Sequence, residues 1–201
     1  HGFCNFRRQF NLNTWLRNNG FIQPANCQSL VNEFAEHPVD WSKTTAYALG
    51  LNGLYLNRKG RERDGIVTDD QADALLERIK AGLLAYRDPE TGAPPIISVY
   101  RTDQHYSGPQ TKNAPDLIIG YDRGYRSSWS AGLGDVEEEI MADNASAWSA
   151  DHCMAAEKLP GVLFCNRPLK RSDPSLVDLA PTILQDFGLP IPVDMTGRNL
   201  L

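Results

Sequence analysis

The stretch Trp148–Asn166, WSADHCMAAEKLPGVLFCN, governs how the rest of the chain is read. It sets an Asp-His pair, Asp151-His152, in a Ser/Ala/Asp context typical of a loop. A short apolar run, Gly161–Cys165, follows and predicts a buried strand. Metal-binding or acid/base side chains beside a strand end are where α/β enzymes concentrate their chemistry. The competing reading is an Asp-His hydrogen bond that only fixes the loop, since most histidines ligate nothing.

Outward from this stretch, Asp178 is expected to N-cap a helix over Leu179–Phe187, with Pro181 tolerated in its first turn and Gly188 as its stop. Upstream, the β-branched run Ile96–Tyr100 and the apolar Leu117–Gly120 predict two strands. The second runs out into YDRGYRSSWS, where Arg123 and Arg126 stand among Tyr121, Tyr125 and Trp129. Arginines at a strand's C-terminal end suit a grip on phosphate oxygens. The alternative is aromatic packing with the arginine stems laid along the rings.

The clearest helix begins at Thr68. Thr68 and Gln71 form a capping box, Asp69 and Asp70 complement the positive helix end, and Leu75, Leu76, Ile79, Leu83 and Leu84 recur at helical spacing to about Tyr86. Tyr47–Asn57 is strand-like, and Asn13 is placed to cap a short helix, Thr14–Asn18. Leu30, Val31 and Phe34 give a weak helical stripe, while the charged run Asn57–Gly65 reads as an exposed loop. His37 and His105 fall in polar loops and read as solvated surface histidines. Strands mixed with long connections and two good helices suit an α/β or α+β layered domain.

At 201 residues the chain has mass for one sizeable core. A net charge of -5 and a pI near 5.4 argue against non-specific nucleic-acid binding and offer no basic strip to anionic lipid. No apolar run reaches the roughly 18 residues of a membrane span. The four cysteines, Cys4, Cys27, Cys153 and Cys165, show no C-x-x-C spacing, which disfavours a zinc knuckle and leaves thiols or disulfides. An opening His-Gly without Met reads as an end made by processing or truncation.

Four segments in order carry a resemblance: HGF with FNLNTWLRNNGF, APDLIIGYDRGYRSSW, WSADHCMAAEKLPGVLFCNR, and SLVDLAPTILQDFGLPIPVDMTGRNL. Together they resemble the type I phosphodiesterase/nucleotide pyrophosphatase family of the alkaline phosphatase superfamily, from His1 to Leu200. The resemblance implies an alkaline-phosphatase-like layered mixed sheet flanked by helices, with residues 1–201 as the C-terminal portion of one catalytic domain and a cap or insertion at about 24–65. It implies two divalent metals, zinc or in some relatives manganese, and a Thr or Ser nucleophile lying upstream. His1 would be the His of an Asp-His-Gly metal motif, and His152 the late histidine of the other metal, with Asp151 orienting it from behind. Arg123 and Arg126 would be the candidate substrate contacts.

The substrate implied is a small phosphate ester or nucleotide-like molecule. A phosphomonoesterase or mutase is the near variant within the superfamily, and a non-catalytic binding module is the alternative of another class. The chain alone is expected to hydrolyse nothing and to bind metal weakly, because two histidines are too few ligands for a tight site.

Overall fold

The computed structural model describes residues 1–25 and 39–201. Cys27, the stripe of Leu30, Val31 and Phe34, and His37 lie outside the described residues. The chain divides into two compact units, His1–Pro160 and Gly161–Leu201.

In chain order the first unit holds β1 (Cys4–Phe10), α1 (Leu12–Asn18), β2 (Ala46–Ala48), β3 (Gly53–Leu56), α2 (Asp69–Ala85), β4 (Ile96–Arg101), α3 (Thr102–His105), β5 (Leu117–Tyr121), β6 (Gly124–Ser127), α4 (Trp129–Leu133), β7 (Met141–Asp143) and β8 (Ala150–Asp151). It is a mixed α/β arrangement of two four-stranded sheets with flanking helices, compatible with the alkaline-phosphatase-like layering expected above.

The first sheet is built around β1. It pairs in parallel with β6, and antiparallel with β7 over Arg8–Phe10 and with β8 over Cys4 and Asn5. Phe6 and Phe10 of β1 are buried in the core. Arg8, between them, reaches the fully buried carboxylate of Asp88, its Nε 2.9 Å from Oδ2. Tyr125 of β6 donates its hydroxyl to the same carboxylate at 3.0 Å. One buried acid therefore ties β1, β6 and the turn after α2 together.

The second sheet has the order β2-β3-β5-β4, antiparallel throughout. The strand-like stretch Tyr47–Asn57 forms its β2-β3 hairpin, and the two predicted strands are β4 and β5. α2 packs on β4 with Ala72, Leu76, Ile79 and Leu83 inward, the three- and four-residue spacing that its sequence displays. Its capping box is present, with Gln71 Oε1 accepting from Thr68 N at 3.1 Å. A glycine inside this helix, Gly82, faces the buried ring of Trp15: a Cβ there would lie 2.9 Å from Cζ2. Gly82→Val is accordingly expected to cost about 1–3 kcal/mol by overpacking, read as a fall in the urea midpoint. An unchanged midpoint would show that the α1 and α2 faces are loosely packed.

Three expectations are corrected. Asn13 caps nothing: it is buried in the first turn of α1, donating Nδ2 to the carbonyls of Ala48 and Asp135 and accepting from Ala48 N at 2.7 Å. The run Asn57–Gly65 is not merely solvated, because Arg58 Nε and Arg61 Nη2 lie 2.8 and 2.7 Å from the buried carboxylate of Asp116. Gly161–Cys165 forms no strand, and its Phe164 is 91% exposed. Apolar composition over five residues cannot distinguish a strand from an extended tail.

The second unit holds one helix, α5 (Leu179–Asp186), entered through a 3₁₀ turn at Leu176–Asp178 and closed at Gly188, whose φ is +69°. Asp178 stands at the N-cap position of α5, as expected, but its carboxylate makes no capping bond into the helix and instead accepts from Ser175 N at 2.9 Å and Arg198 N at 2.7 Å. Thr182 then accepts from Leu200 N at 2.9 Å, holding the terminal segment along the helix.

Candidate metal centre

β1 and β8 run antiparallel with Cys4 opposite Asp151. Phe3 and His1 therefore leave one strand at the sheet end where His152 leaves the other. The imidazoles of His1 and His152 meet with ring centroids 4.4 Å apart, and Phe3 abuts both, at 5.1 and 5.4 Å. The two histidines singled out from sequence are thus brought together by a strand pairing that neither segment reveals alone.

His1 Nδ1 sits 3.0 Å from the carbonyl oxygen of Gly2. A carbonyl only accepts, so Nδ1 is the donor in this contact, and in the neutral ring the free lone pair is then on Nε2. The His152 side chain is half exposed. Both rings are accessible from solvent, as metal ligands must be before an ion enters.

Asp151 behaves differently. Its side chain is buried, and Oδ1 accepts from the backbone N–H of His152 at 2.6 Å and of Cys153 at 3.1 Å. Oδ2 accepts from Trp148 Nε1 at 3.0 Å and lies 2.7 Å from Arg126 Nε. The carboxylate is held ionised: burial pushes its pKa up, and the backbone bonds, Trp148 and the Arg126 charge together pull it below the ordinary value. Nδ1 of His152 stays 3.8 Å away, beyond hydrogen-bond reach. Asp151 therefore shapes the turn that presents His152 through its backbone, without gripping the ring.

Among the described residues, Asp151, His152 and Cys153 are the group whose candidate ligand atoms converge, within 4.8 Å. With both Asp151 oxygens engaged and the Cys153 thiol pushed upward by burial and the neighbouring carboxylate, the free donors are the imidazoles. Cys4, Cys153 and Cys165 are free thiols.

The two arginines part company. Arg123 is exposed, its Nη2 3.4 Å from the carbonyl of Lys158. Arg126 is fully buried, its guanidinium 3.9 Å from the Trp129 ring centroid and 4.9 Å from that of Phe6, and charge-paired with Asp151. That burial leaves Arg126 no face for a substrate, a correction to its reading as a substrate contact. The aromatic-packing alternative described its surroundings, and the buried partner carboxylate is the added feature.

His105, read as a surface histidine, is exposed, yet it lines a cleft that His152 also lines. Its position just beyond β4 was the only sequence signal that linked it to a site.

The two-sheet arrangement is compatible with an alkaline-phosphatase-like fold, and the similarities to known proteins are to a member of that superfamily. The chain is similar to 2,3-bisphosphoglycerate-independent phosphoglycerate mutase, a member of that superfamily. The match to the Caenorhabditis elegans protein is 28% identical over 139 residues, 65% of this chain and 25% of the relative. That to the Synechococcus sp. (strain JA-2-3B'a(2-13)) protein is 42% identical over 74 residues, 31% of this chain and 13% of the relative. Over 44 residues the Synechococcus elongatus protein is 54% identical, 22% of this chain and 8% of the relative. The chain thus spans about a quarter or less of the length of these curated relatives. No family model matches it, and no solved structure does. Among the described residues no helix is long and apolar enough to cross a membrane.

Proposed function

We propose that His1 and His152 are ligands in the divalent-metal centre of a phosphoryl-transfer enzyme that hydrolyses phosphate esters in the manner of the phosphodiesterase/nucleotide pyrophosphatase family. The observation that carries this is the meeting of two solvent-accessible imidazoles from opposite ends of the first unit, 4.4 Å apart between centroids. The donor set suits zinc, which takes imidazole nitrogen readily, and manganese is the second candidate. When bound, such ions lower the pKa of an attacking oxygen and stabilise charge on the phosphoryl group.

The chain's own residues prepare the place. Asp151 and Arg126 fix the backbone that aims His152, the Gly2 carbonyl accepts from His1 Nδ1, and exposed Arg123 is available to a phosphate oxygen. On this reading the nucleophile, a Thr or Ser, and the remaining ligands come from residues outside His1–Leu201. Transfer between two hydroxyls of one substrate, as the name of the mutase relatives describes, is the near variant. A non-catalytic binding module is the second reading, favoured by how few free donors converge among the described residues.

The test is a zinc or manganese titration followed through the histidine ring protons. His1 and His152 should respond together while His105 does not. In the complete protein, where the remaining ligands tighten the site, His152→Ala should weaken metal binding by more than the roughly 10–100-fold that loss of an outer partner costs. In the complete enzyme, hydrolysis of bis-(p-nitrophenyl) phosphate should be abolished by EDTA. Full activity of His152→Ala in that assay would sink the assignment.

A further inference from the structure

The cleft lined by His152 extends along β4 and α3 to His105 and encloses about 480 Å³. That lies within the roughly 300–1,000 Å³ usual for small-molecule sites, so one small ester filling the cleft reaches both imidazoles. The two rings are held differently. His152 follows β8 and has His1 beside it, with centroids 4.4 Å apart. His105 ends α3, and its ring meets that of Tyr100 nearly at right angles with centroids 5.5 Å apart. Tyr100 is itself anchored, its hydroxyl donating to Glu157 Oε2 at 2.6 Å. The His105 imidazole is thus braced on one side and borders the cleft on another.

Displacement at phosphorus sets the attacking and leaving oxygens roughly in line, on opposite sides of the phosphoryl group. On the metal-centre reading the attacking oxygen is activated at His1 and His152, so the departing oxygen gathers its charge at the other end of the ester. A proton delivered there speeds departure, typically by about 10²–10⁴-fold.

Few side chains of the cleft can deliver one. Arg101 donates to Asp103 and Asp73, each at 2.7 Å, and these bonds raise its pKa above an already high value. Tyr100 is committed to Glu157, and burial together with that bond pushes its pKa up. Cys153 adjoins His152, on the metal side. Imidazole is the side chain that gives and takes a proton near neutral pH.

We propose that His105 is the proton donor to the leaving group. The proposal rests on the metal-centre reading for where the phosphorus lies. As the ionised Thr or Ser oxygen bonds to phosphorus, the P–O bond to the leaving group breaks and the imidazolium N–H proton passes to the departing oxygen. The phenol or alcohol leaves neutral, and neutral imidazole remains. In the second half, the imidazole takes a proton from the water that attacks phosphorus and releases the Thr or Ser oxygen. Esters of unactivated alcohols and phenols, which leave poorly without a proton, are then the substrate class the cleft serves.

The test compares two diesters in the complete enzyme. His105→Ala should lower kcat for diphenyl phosphate by about 10²-fold or more, yet stay within about threefold of the unmutated enzyme on bis-(p-nitrophenyl) phosphate, whose leaving group departs as a stable anion. Retained activity on the second diester also shows that the variant is folded. Tyr106→Phe, the control at the neighbouring exposed hydroxyl, should leave both rates unchanged. In the full chain with zinc, phenyl phosphate should shift the ring protons of His105 and His152 together. Equal falls on the two diesters, no fall on either, or shifts at His152 alone would overturn the proposal. So would a leaving-group-dependent fall in Tyr106→Phe in place of His105→Ala. Hydrolysis that survives EDTA, with the His105→Ala pattern intact, would defeat the metal centre and leave the proton donor standing.

Discussion

Arg126→Met is expected to destabilise the first unit by about 3–5 kcal/mol, the range seen when one partner of a buried ion pair is removed. The reason lies in what remains. Asp151 keeps its backbone and Trp148 hydrogen bonds but loses the cation that offsets a buried negative charge. Arg126→Lys should recover only part of the loss, because an ammonium cannot lie flat between Phe6 and Trp129 as the guanidinium does. The change should also loosen the turn carrying His152, so zinc affinity should fall with stability although Arg126 touches no metal. Urea unfolding followed by tryptophan fluorescence gives the first quantity and metal titration the second. A cost below about 1 kcal/mol would put the pair in the class of solvated surface bridges.

Asp88→Ala should cost somewhat less, about 1–3 kcal/mol, because it leaves Arg8 only the exposed carboxylates of Glu90 and Asp143 and removes the buried acceptor of the Tyr125 and Thr91 hydroxyls. The informative control shares the same arginine. Asp143 is also in contact with Arg8, but its side chain is 74% exposed, so Asp143→Ala should cost less than about 1 kcal/mol. Equal losses at the two sites would show that burial does not set the strength of these pairs.

Acid provides a second readout. Burial pushes the Asp88 pKa up, yet the Glu90 N–H, the Thr91 and Tyr125 hydroxyls and the Arg8 charge hold it below the ordinary carboxylate value. A carboxyl with a depressed folded-state pKa contributes fully above its unfolded value, about 4, and that contribution is lost as the pH falls through the folded value. The melting temperature should therefore drop below about pH 4. Asp88→Asn should melt lower at neutral pH and show a shallower acid slope.

What the sequence made legible followed periodicity. Leu76, Ile79 and Leu83 announce α2 because a helix repeats its inner face within a few residues, and the β-branched runs announce β4 and β5 on similar grounds. β8 could not be read. Two residues, Ala150 and Asp151, have no period, and their strand character comes wholly from β1. The same limit applies to Arg126, whose aromatic neighbours suit a phosphate grip and a buried pair equally well. Only the arrival of Asp151 decides between them. Of the site, the two histidines were legible through resemblance, while the cleft from His152 to His105 depends on β4 and β5 lying where the fold puts them.

The position of β1 also sets when the site can exist. Every strand that flanks it arrives from far along the chain: Phe6 meets Gly124, Arg8 meets Asp143, and Cys4 meets Asp151. Contacts of such high sequence separation require long loops to close before any pairing is rewarded, which makes the sheet a slow, late product of folding. α2 and the β2-β3 hairpin are local and can form early. The meeting of His1 with His152 therefore depends on the β1–β8 pairing, and during refolding the two rings are expected to come together no earlier than that pairing.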